Sequence, residues 1–312
     1  MRNQFKVKVE NKKQLDIALN YDNVSEIILS RDSFSESDLP KLVDKIKNAG
    51  KISWILMERI SRYEEKMQIT PTIKEQIHKS NLSNSSKVHY EPESLRLSTD
   101  KIFEIQNLDG IIIQNLDSFA YVLRKINMVK NDKLMVELNY TMNCYNVETK
   151  NLFTELYNEK RKNANDVPLH FTAPVELNIY ELSDVGYDTI ILYSYIDTMV
   201  AANCIYKNSI AKHSDLTHCK HRFDFNNVNN YSSYVLDRKN KKLYYKTYCK
   251  YCYNKIFNTE PMYLLDKIDE IETYEMKYRI DFSFENENQI RDILNMKCPE
   301  SFTRGHFKNS IK

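Results

Sequence analysis

Tyr278-Arg-Ile-Asp-Phe282 is a short run, late in a chain of 312 residues, in which apolar and charged side chains alternate. Such alternation predicts a β-strand with one face in an apolar core. Seven earlier runs are strand-like too: Phe5–Val9, Glu26–Leu29, Ile52–Met57, Gly110–Gln114, Leu134–Leu138, Leu169–Thr172 and Thr189–Tyr193. The late run is therefore the eighth predicted strand.

Helical segments separate most of these runs. The clearest, from about Leu39 to Ala49, has Pro40 in its first turn and Gly50 directly after its end. Strands that alternate with helices pair in parallel, because parallel neighbours need a crossover connection. Eight such units predict an α/β fold, a TIM-like (β/α)8 barrel, regular or distorted, with functional groups at the carboxyl ends of its strands. An open, doubly wound sheet is the alternative.

Composition limits the possible functions. The chain has 45 Lys and Arg against 43 Asp and Glu, so its overall charge names no partner. It has four glycines, too far apart to form a glycine-rich phosphate loop, and neither an HExxH nor a GxSxG motif.

The N-terminal residues lack the apolar stretch of a signal peptide, and the most apolar segment, residues 189–206, is interrupted by Asp197. A cytoplasmic protein without a membrane span is predicted.

The segment between the seventh and eighth predicted strands has a different composition. Residues 207–255 hold eleven Lys and Arg against three Asp, a formal charge of +8, together with many Tyr and Phe. Cations contact phosphates and rings stack on unpaired bases, so RNA (tRNA or rRNA) is a predicted partner. The alternative is a solvated face whose tyrosines pack around a metal site.

We divide the chain into residues 1–203 with strands one to seven, a cysteine-rich insertion at 204–260, and residues 261–312 with the last strand, its helix and the C-terminal tail.

Four of the six cysteines fall in or beside this segment: Cys204, Cys219, Cys249 and Cys252. Cys249-Lys-Tyr-Cys252 has the CxxC spacing that lets two thiolates bind one metal centre. Four thiolates suit tetrahedral zinc or an iron–sulfur cluster, and the single CxxC favours the cluster because a zinc ribbon usually has two. Buried structural thiols are the alternative. If Cys219 lies far from the other three, His213 or His218 becomes the candidate fourth ligand.

Polar residues near the ends of the predicted strands are further candidate site groups, because such positions carry the chemistry of barrel enzymes. The carboxylates are Glu137, Glu176 and Asp281, and the amides are Asn139, Asn143 and Asn178.

Four stretches in the last third of the chain have the pattern of a known family. They are Cys204-Ile-Tyr-Lys-Asn-Ser209, Leu236-Asp-Arg-Lys239, Cys249-Lys-Tyr-Cys-Tyr-Asn-Lys-Ile-Phe-Asn258 and Phe302-Thr-Arg-Gly-His-Phe307. They resemble the collagenase-like peptidase family, peptidase family U32, in the C-terminal half of its long members. Weaker similarity extends upstream through Gly110–Leu116, Asn139–Asn146 and Pro174–Leu177.

The resemblance implies a barrel-like fold with a 4Fe–4S cluster on Cys204, Cys219, Cys249 and Cys252, with zinc as the alternative metal. It implies an iron–sulfur enzyme, or its accessory subunit, in the oxygen-independent hydroxylation of a tRNA or rRNA base. The alternatives are a peptidase, as the family name suggests, and a non-catalytic binding module stapled by its metal. The predicted catalytic residues are Arg238, Arg304, His306 and Glu176. A partner subunit that supplies the missing N-terminal half is also expected.

Overall fold

The computed structural model describes residues 4–60, 101–129, 131–202, 204–205, 225, 227–272 and 275–308. The strands are β1 (Phe5–Val9), β2 (Val24–Ser30), β3 (Ile52–Leu56), β4 (Gly110–Ile113), β5 (Met135–Leu138), β6 (Leu169–Phe171), β7 (Thr189–Ser194), β8 (Asp197–Ala201), β9 (Tyr231–Leu236), β10 (Lys242–Tyr248), β11 (Tyr253–Phe257), β12 (Met262–Tyr263) and β13 (Lys277–Asp281). The helices are α1 (Lys12–Leu19), α2 (Leu39–Asn48), α3 (Leu116–Lys125), α4 (Val147–Lys160), α5 (Ile179–Val185), α6 (Ile268–Ile271) and α7 (Glu287–Leu294).

The larger sheet is curled and mostly parallel, with the strand order β12-β7-β13-β1-β2-β3-β4-β5-β6. All eight predicted strands belong to it. The eighth, β13, pairs in parallel with β1, as expected for the last strand of a barrel. In this pairing Phe5 lies opposite Tyr278 and Lys8 opposite Asp281. From β1 to β6 the sheet follows the chain without the reversal of order that defines a doubly wound sheet. The α/β class is therefore confirmed, and the sheet is consistent with a TIM-like arrangement.

The β6 edge of this sheet lies next to β7, near the opposite edge. Beyond β6, Thr172 forms a parallel bridge with Thr189, the first residue of β7. The amide of Ala173 donates to the carbonyl of Thr189 at 2.8 Å, and the amide of Asp188 donates to the carbonyl of Phe171 at 3.0 Å. The β6 and β7 strands are thus joined by a few hydrogen bonds.

The two faces of the parallel sheet have different chemistry. On β1, Phe5, Val7 and Val9 belong to the main apolar core, which also contains buried side chains of the surrounding helices. The alternate residue Lys6 instead extends to Glu137 on β5. Three strands separate β1 from β5 in the sheet, so this contact crosses the inside of the curl. The inner face is therefore charged as well as apolar.

The second sheet is antiparallel, with the order β8-β11-β10-β9. Strands β9 to β11 lie within the insertion predicted at residues 204–260, whereas β8 follows β7 directly and precedes that insertion. Its β10 and β11 strands are joined by the CxxC turn, and Tyr248 pairs with Tyr253 beside that turn.

No described helix is long and apolar enough to cross a membrane.

Candidate functional site

An ion pair lies buried inside the parallel sheet. The Lys6 ammonium is 2.5 Å from Oε2 of Glu137, and Thr172 donates to Oε1 of the same carboxylate at 2.5 Å. The ammonium also lies 3.4 Å from the ring centroid of Trp54. Burial raises the pKa of Glu137, but Lys6 and Arg279 outweigh burial and hold that pKa below its usual value. The carboxylate is therefore ionised and fully partnered.

Arg279 on β13 connects several of the predicted polar groups. Its Nε and Nη2 atoms donate to the two carboxylate oxygens of Asp281 at 2.6 and 2.8 Å. Its Nη1 atom donates to Oδ1 of Asn139 at 2.9 Å, and Arg279 is close enough to Glu137 to lower the pKa of that carboxyl. Three of the six predicted strand-end groups thus meet around an arginine that sequence reasoning missed.

The other three strand-end groups have local roles. Asn178 is the N-cap of α5 and accepts hydrogen bonds from the amides of Tyr180 and Glu181. Asn143 has a left-handed backbone, with φ of 55°. Glu176 lies near Tyr145 and raises the pKa of that phenol, which burial raises most.

The antiparallel sheet is fixed over the carboxyl ends of the parallel strands. Lys246 on β10 forms an ion pair with Glu10, which directly follows β1. Within the antiparallel sheet, Lys255 on β11 lies 3.5 Å from the carboxylate of Asp197 on β8, and that carboxylate accepts a hydrogen bond from Tyr140, which follows β5. Burial raises the pKa of Glu10, but Lys246 and Lys8 outweigh burial and lower that pKa to about 2. Lys246 and Lys255 come from the basic segment, so part of the positive charge of that segment is neutralised inside the protein.

The CxxC turn is itself an anchor. The amide of Cys252 donates to the carbonyl of Cys249 at 3.2 Å, which closes the turn. Lys250, inside the turn, is fully buried and donates to the carbonyls of Arg31 and Phe34 at 2.9 and 3.0 Å. Its ammonium also lies 2.7 Å from the carboxylate of Glu36. The turn is therefore held against the loop that follows β2.

Three of the four predicted cysteine ligands lie in the described part of the chain. Ala201 pairs with Asn254, so Cys204, three residues beyond, lies at the end of the β8–β11 ladder from which Cys252 also extends. Thiolates of this kind suit zinc or iron. Among the residues the structure describes, no three His, Cys, Asp or Glu side chains are grouped to hold a metal ion. Cys219, His213 and His218 lie outside the described residues. The metal centre therefore stays a prediction.

Unsatisfied polar atoms occur beside this turn. Tyr253 donates to Oδ2 of Asp32 at 2.5 Å, while burial raises the pKa of Asp32 to about 6. Among the buried atoms of the described ranges that have no hydrogen-bond partner, four belong to residues near the turn: Oδ1 of Asp32, Nε of Arg59, Oδ1 of Asn230 and the hydroxyl of Tyr251. Two contacts bring three of these residues together: the Arg59 amide donates to the Tyr253 hydroxyl at 3.4 Å, and Asn230 donates to the Asp32 carbonyl at 3.1 Å. Buried polar atoms without partners are uncommon, so this is a candidate place for a ligand.

The four predicted catalytic residues occupy different places. Arg238 is exposed in the turn between β9 and β10. Arg304 donates to Asp266 at 2.7 Å and to the carbonyl of Tyr263 at 2.8 Å. His306 lies beside Phe307 in a small apolar cavity, and Glu176 follows β6. No hydrogen bond or ion pair of the described residues joins any two of the four.

No protein-family model and no curated protein matches this chain. Among solved structures, the U32 peptidase Mk0906 has 13% identity and a TM-score of 0.39, and the match covers 63% of this chain and 72% of that one. An uncharacterized B. cereus protein has 10% identity and a TM-score of 0.43, with 95% of this chain and 65% of that chain covered. The C-terminal domain of a putative chitinase from Desulfitobacterium hafniense DCB-2 has 10% identity and a TM-score of 0.40, with 95% and 98% covered. The solved structures that this chain resembles thus include a member of the family that its motifs resemble, at a similarity too low to inform on activity.

Proposed function

We propose that this chain is a U32-like iron–sulfur protein that takes part in the oxygen-independent hydroxylation of an RNA base. The observation that carries the proposal is that buried ion pairs fix the cysteine-bearing sheet over the carboxyl ends of the parallel strands. In barrels of this kind the reacting groups lie at that end. A centre on the CxxC turn would therefore lie next to the polar strand-end groups.

The closed barrel is part of the proposal. Eight parallel strands in cyclic order, with the Thr172–Thr189 bridge between β6 and β7, support a (β/α)8 barrel. The division into a barrel, a cysteine-rich insertion at 204–260 and a C-terminal part at 261–312 belongs to the same proposal.

Cys204, Cys219, Cys249 and Cys252 would hold the cluster. When bound, such a cluster supplies electron transfer, with a potential set by its surroundings. Lys250 and Tyr251, inside the CxxC turn, are buried, and Lys250 is held by Glu36. These contacts fix the backbone that carries two of the thiols. A preorganised turn of this kind favours metal binding because little chain entropy remains to be lost.

The β9–β10 hairpin supports RNA as the partner. Its exposed cations are Arg238, Lys239, Lys241 and Lys242. Tyr234 on the same hairpin is 47% exposed, and the Lys242 ammonium lies 4.6 Å from its ring centroid. Cations for phosphates beside a ring for a base are what single-stranded RNA requires. Lys220 and Arg222, also expected at this surface, lie outside the described residues.

Anaerobic purification tests the metal centre. We expect a brown protein with broad visible absorption, containing iron and acid-labile sulfide. Cys249→Ser and Cys252→Ser should each bleach it, whereas Cys298→Ser, at an exposed cysteine outside the set, should not. A colourless protein that contains stoichiometric zinc would show that the centre is a structural zinc site and not a cluster.

RNA binding by the cluster-loaded protein tests the partner. Affinity should fall steeply with salt, because each neutralised phosphate releases counterions. The double substitution Lys241→Glu and Lys242→Glu should weaken binding without bleaching, whereas Lys133→Glu with Lys162→Glu, at exposed lysines elsewhere, should have a smaller effect. With an organic hydroxyl donor that is reduced as the base is oxidised by two electrons, the RNA should gain one oxygen atom at a base, measured by nucleoside mass spectrometry. Salt-independent binding would contradict the RNA proposal.

One observation favours a second candidate, a non-catalytic module stapled by its metal. Several carboxylates at the strand ends are already neutralised, Glu10 by Lys8 and Lys246, and Glu36 by Lys250. Such groups stabilise the fold and are not available for chemistry. Salt-dependent RNA binding without any gain of oxygen, with the hydroxyl donor present and the cluster intact, would select this candidate.

A further inference from the structure

A cleft of about 500 Å³ lies beside the carboxyl end of β7, away from the cysteine turn. Its walls come from the end of β7, from β10, from the loop before β12, and from α7 with the segment that follows it. Sites for small molecules typically enclose roughly 300–1,000 Å³, so the volume suits a compact ligand. None of the predicted catalytic residues or cluster ligands lines it.

Tyrosine rings form one wall of the cleft. Tyr195 and Tyr244 are half-buried, and their ring centroids lie 5.8 Å apart in an edge-to-face arrangement. Both pack on Phe284, at 5.4 and 5.3 Å, so the two rings are held in place before any ligand arrives. Fixed tyrosine faces attract cations through the negative potential above the ring.

Carboxylates form the opposite wall. Asp292 is paired with Lys297 at 2.8 Å, and Glu260 accepts a hydrogen bond from Ser301 at 2.5 Å. Within the described residues, neither Glu260 nor Glu300 forms an ion pair. Glu260 and Glu300 are therefore left as two negative charges in a lining that also holds the tyrosine rings.

Glu285 is a buried carboxyl group behind the tyrosine wall. It is 8% exposed and lies near Tyr193 and Tyr195, which line the cleft. Its Oε2 atom accepts from the amide of Ser283 at 2.5 Å, whereas its Oε1 atom has no hydrogen-bond partner in the part of the chain that is described. The Tyr193 hydroxyl lies beside this carboxyl group and Glu285 does not itself line the cleft, so Glu285 holds the tyrosine wall from behind.

We propose that this cleft binds a small organic cation, an alkylamine or a guanidinium compound. The ring faces would contact its alkyl chain and charged head, and Glu260 and Glu300 would neutralise its charge. This combination disfavours anions, so the ligand differs in class from the RNA of the proposed function. The site requires neither a cluster nor RNA.

Calorimetric titration of the RNA-free full chain with spermidine and with agmatine tests the site, with succinate as an anion of comparable length. We expect saturable binding of at least one cation, weakened by salt, and no binding of succinate. Glu260→Gln and Tyr195→Leu should each weaken binding about tenfold, since each removes one electrostatic contact with the cation. Glu272→Gln, at an exposed glutamate outside the cleft, serves as the control.

Circular dichroism should show that the variants remain folded. Absence of binding by both cations, or binding that survives Glu260→Gln and Tyr195→Leu unchanged, would overturn the proposal. Because the titration needs neither cluster nor RNA, its result is independent of the hydroxylation proposal.

Discussion

The ammonium of Lys246 and the carboxylate of Glu10 form an ion pair between the two sheets of the protein, with side chains that are 12% and 2% exposed. Lys8 contacts the same carboxylate at 3.0 Å, and the hydroxyl of Tyr248 donates to it at 3.2 Å. One carboxylate at the end of β1 thus holds two residues of β10. The antiparallel sheet is therefore a buried, electrostatically fixed cap on the parallel strands.

Removing Lys246 should loosen this cap. We expect Lys246→Met to lower the free energy of unfolding by about 3 kcal/mol, because it leaves a buried carboxylate with one cation where it had two. Urea denaturation gives the value. Lys242→Met, at an exposed lysine of the same strand, is the matched control and should cost less than about 1 kcal/mol. Equal effects would show that the pair does not anchor the sheet.

Glu10 should also make stability depend on acid. Its pKa in the fold is about 2, against an ordinary value of 4.5, because the lysines outweigh burial. The stabilisation is therefore complete above pH 4.5 and is lost as the pH falls toward 2, with a size of about 3 kcal/mol. The stability difference between the wild type and Glu10→Gln should narrow across that window in denaturant titrations. A difference that stays constant with pH would contradict the assignment.

The strand positions were predictable because alternation and helical spacing are local properties. The charged inner face was not. In Phe5-Lys-Val-Lys-Val9 the alternate lysines are typical of a solvent-facing side. Their partners Glu137 and Asp281 lie far along the chain. The curl of the sheet brings Glu137 to Lys6, and the pairing of β13 with β1 brings Asp281 to Lys8. Among the strand-end residues, position alone indicated Glu137, Asn139 and Asp281, but not the arginine that joins them.

The antiparallel sheet was missed for a different reason. Its segment was interpreted by composition, so every lysine counted toward a basic surface. The structure buries Lys250 and Lys255 against Glu36 and Asp197, while the cations of the β9–β10 hairpin stay exposed. Charge counting cannot separate these two groups, because burial depends on contacts with strands that are distant in sequence.

Asp32 should have the opposite pH dependence to Glu10. Burial raises its pKa from 3.8 to about 6, so the fold favours the protonated acid, and stability is lost as the pH rises from 3.8 through 6. Asp32→Asn should therefore stabilise the protein above pH 7, by up to about 3 kcal/mol, and the gain should vanish near pH 4. Urea unfolding at several pH values measures this. Asp132→Asn, at an exposed aspartate, is the control. A variant that is less stable at every pH would show that Asp32 is needed as an anion.

Gly110 should tolerate no side chain, because a Cβ atom there would lie 2.4 Å from the ring of Trp54. The ring has no room to retreat, since it is 1% exposed, its Nε1 atom donates to Glu26 at 2.7 Å and Lys6 lies on its face. We expect Gly110→Ala to lower the free energy of unfolding by about 2–3 kcal/mol, as overpacking does. Gly50→Ala, at φ of +70° in open space, should cost only about 1 kcal/mol of backbone strain.

In a Trp54→Leu background the cost of Gly110→Ala should shrink, because the obstructing ring is gone. Denaturant unfolding of the four proteins of this cycle measures the coupling, and an unchanged cost would place the strain in the backbone of β4 instead.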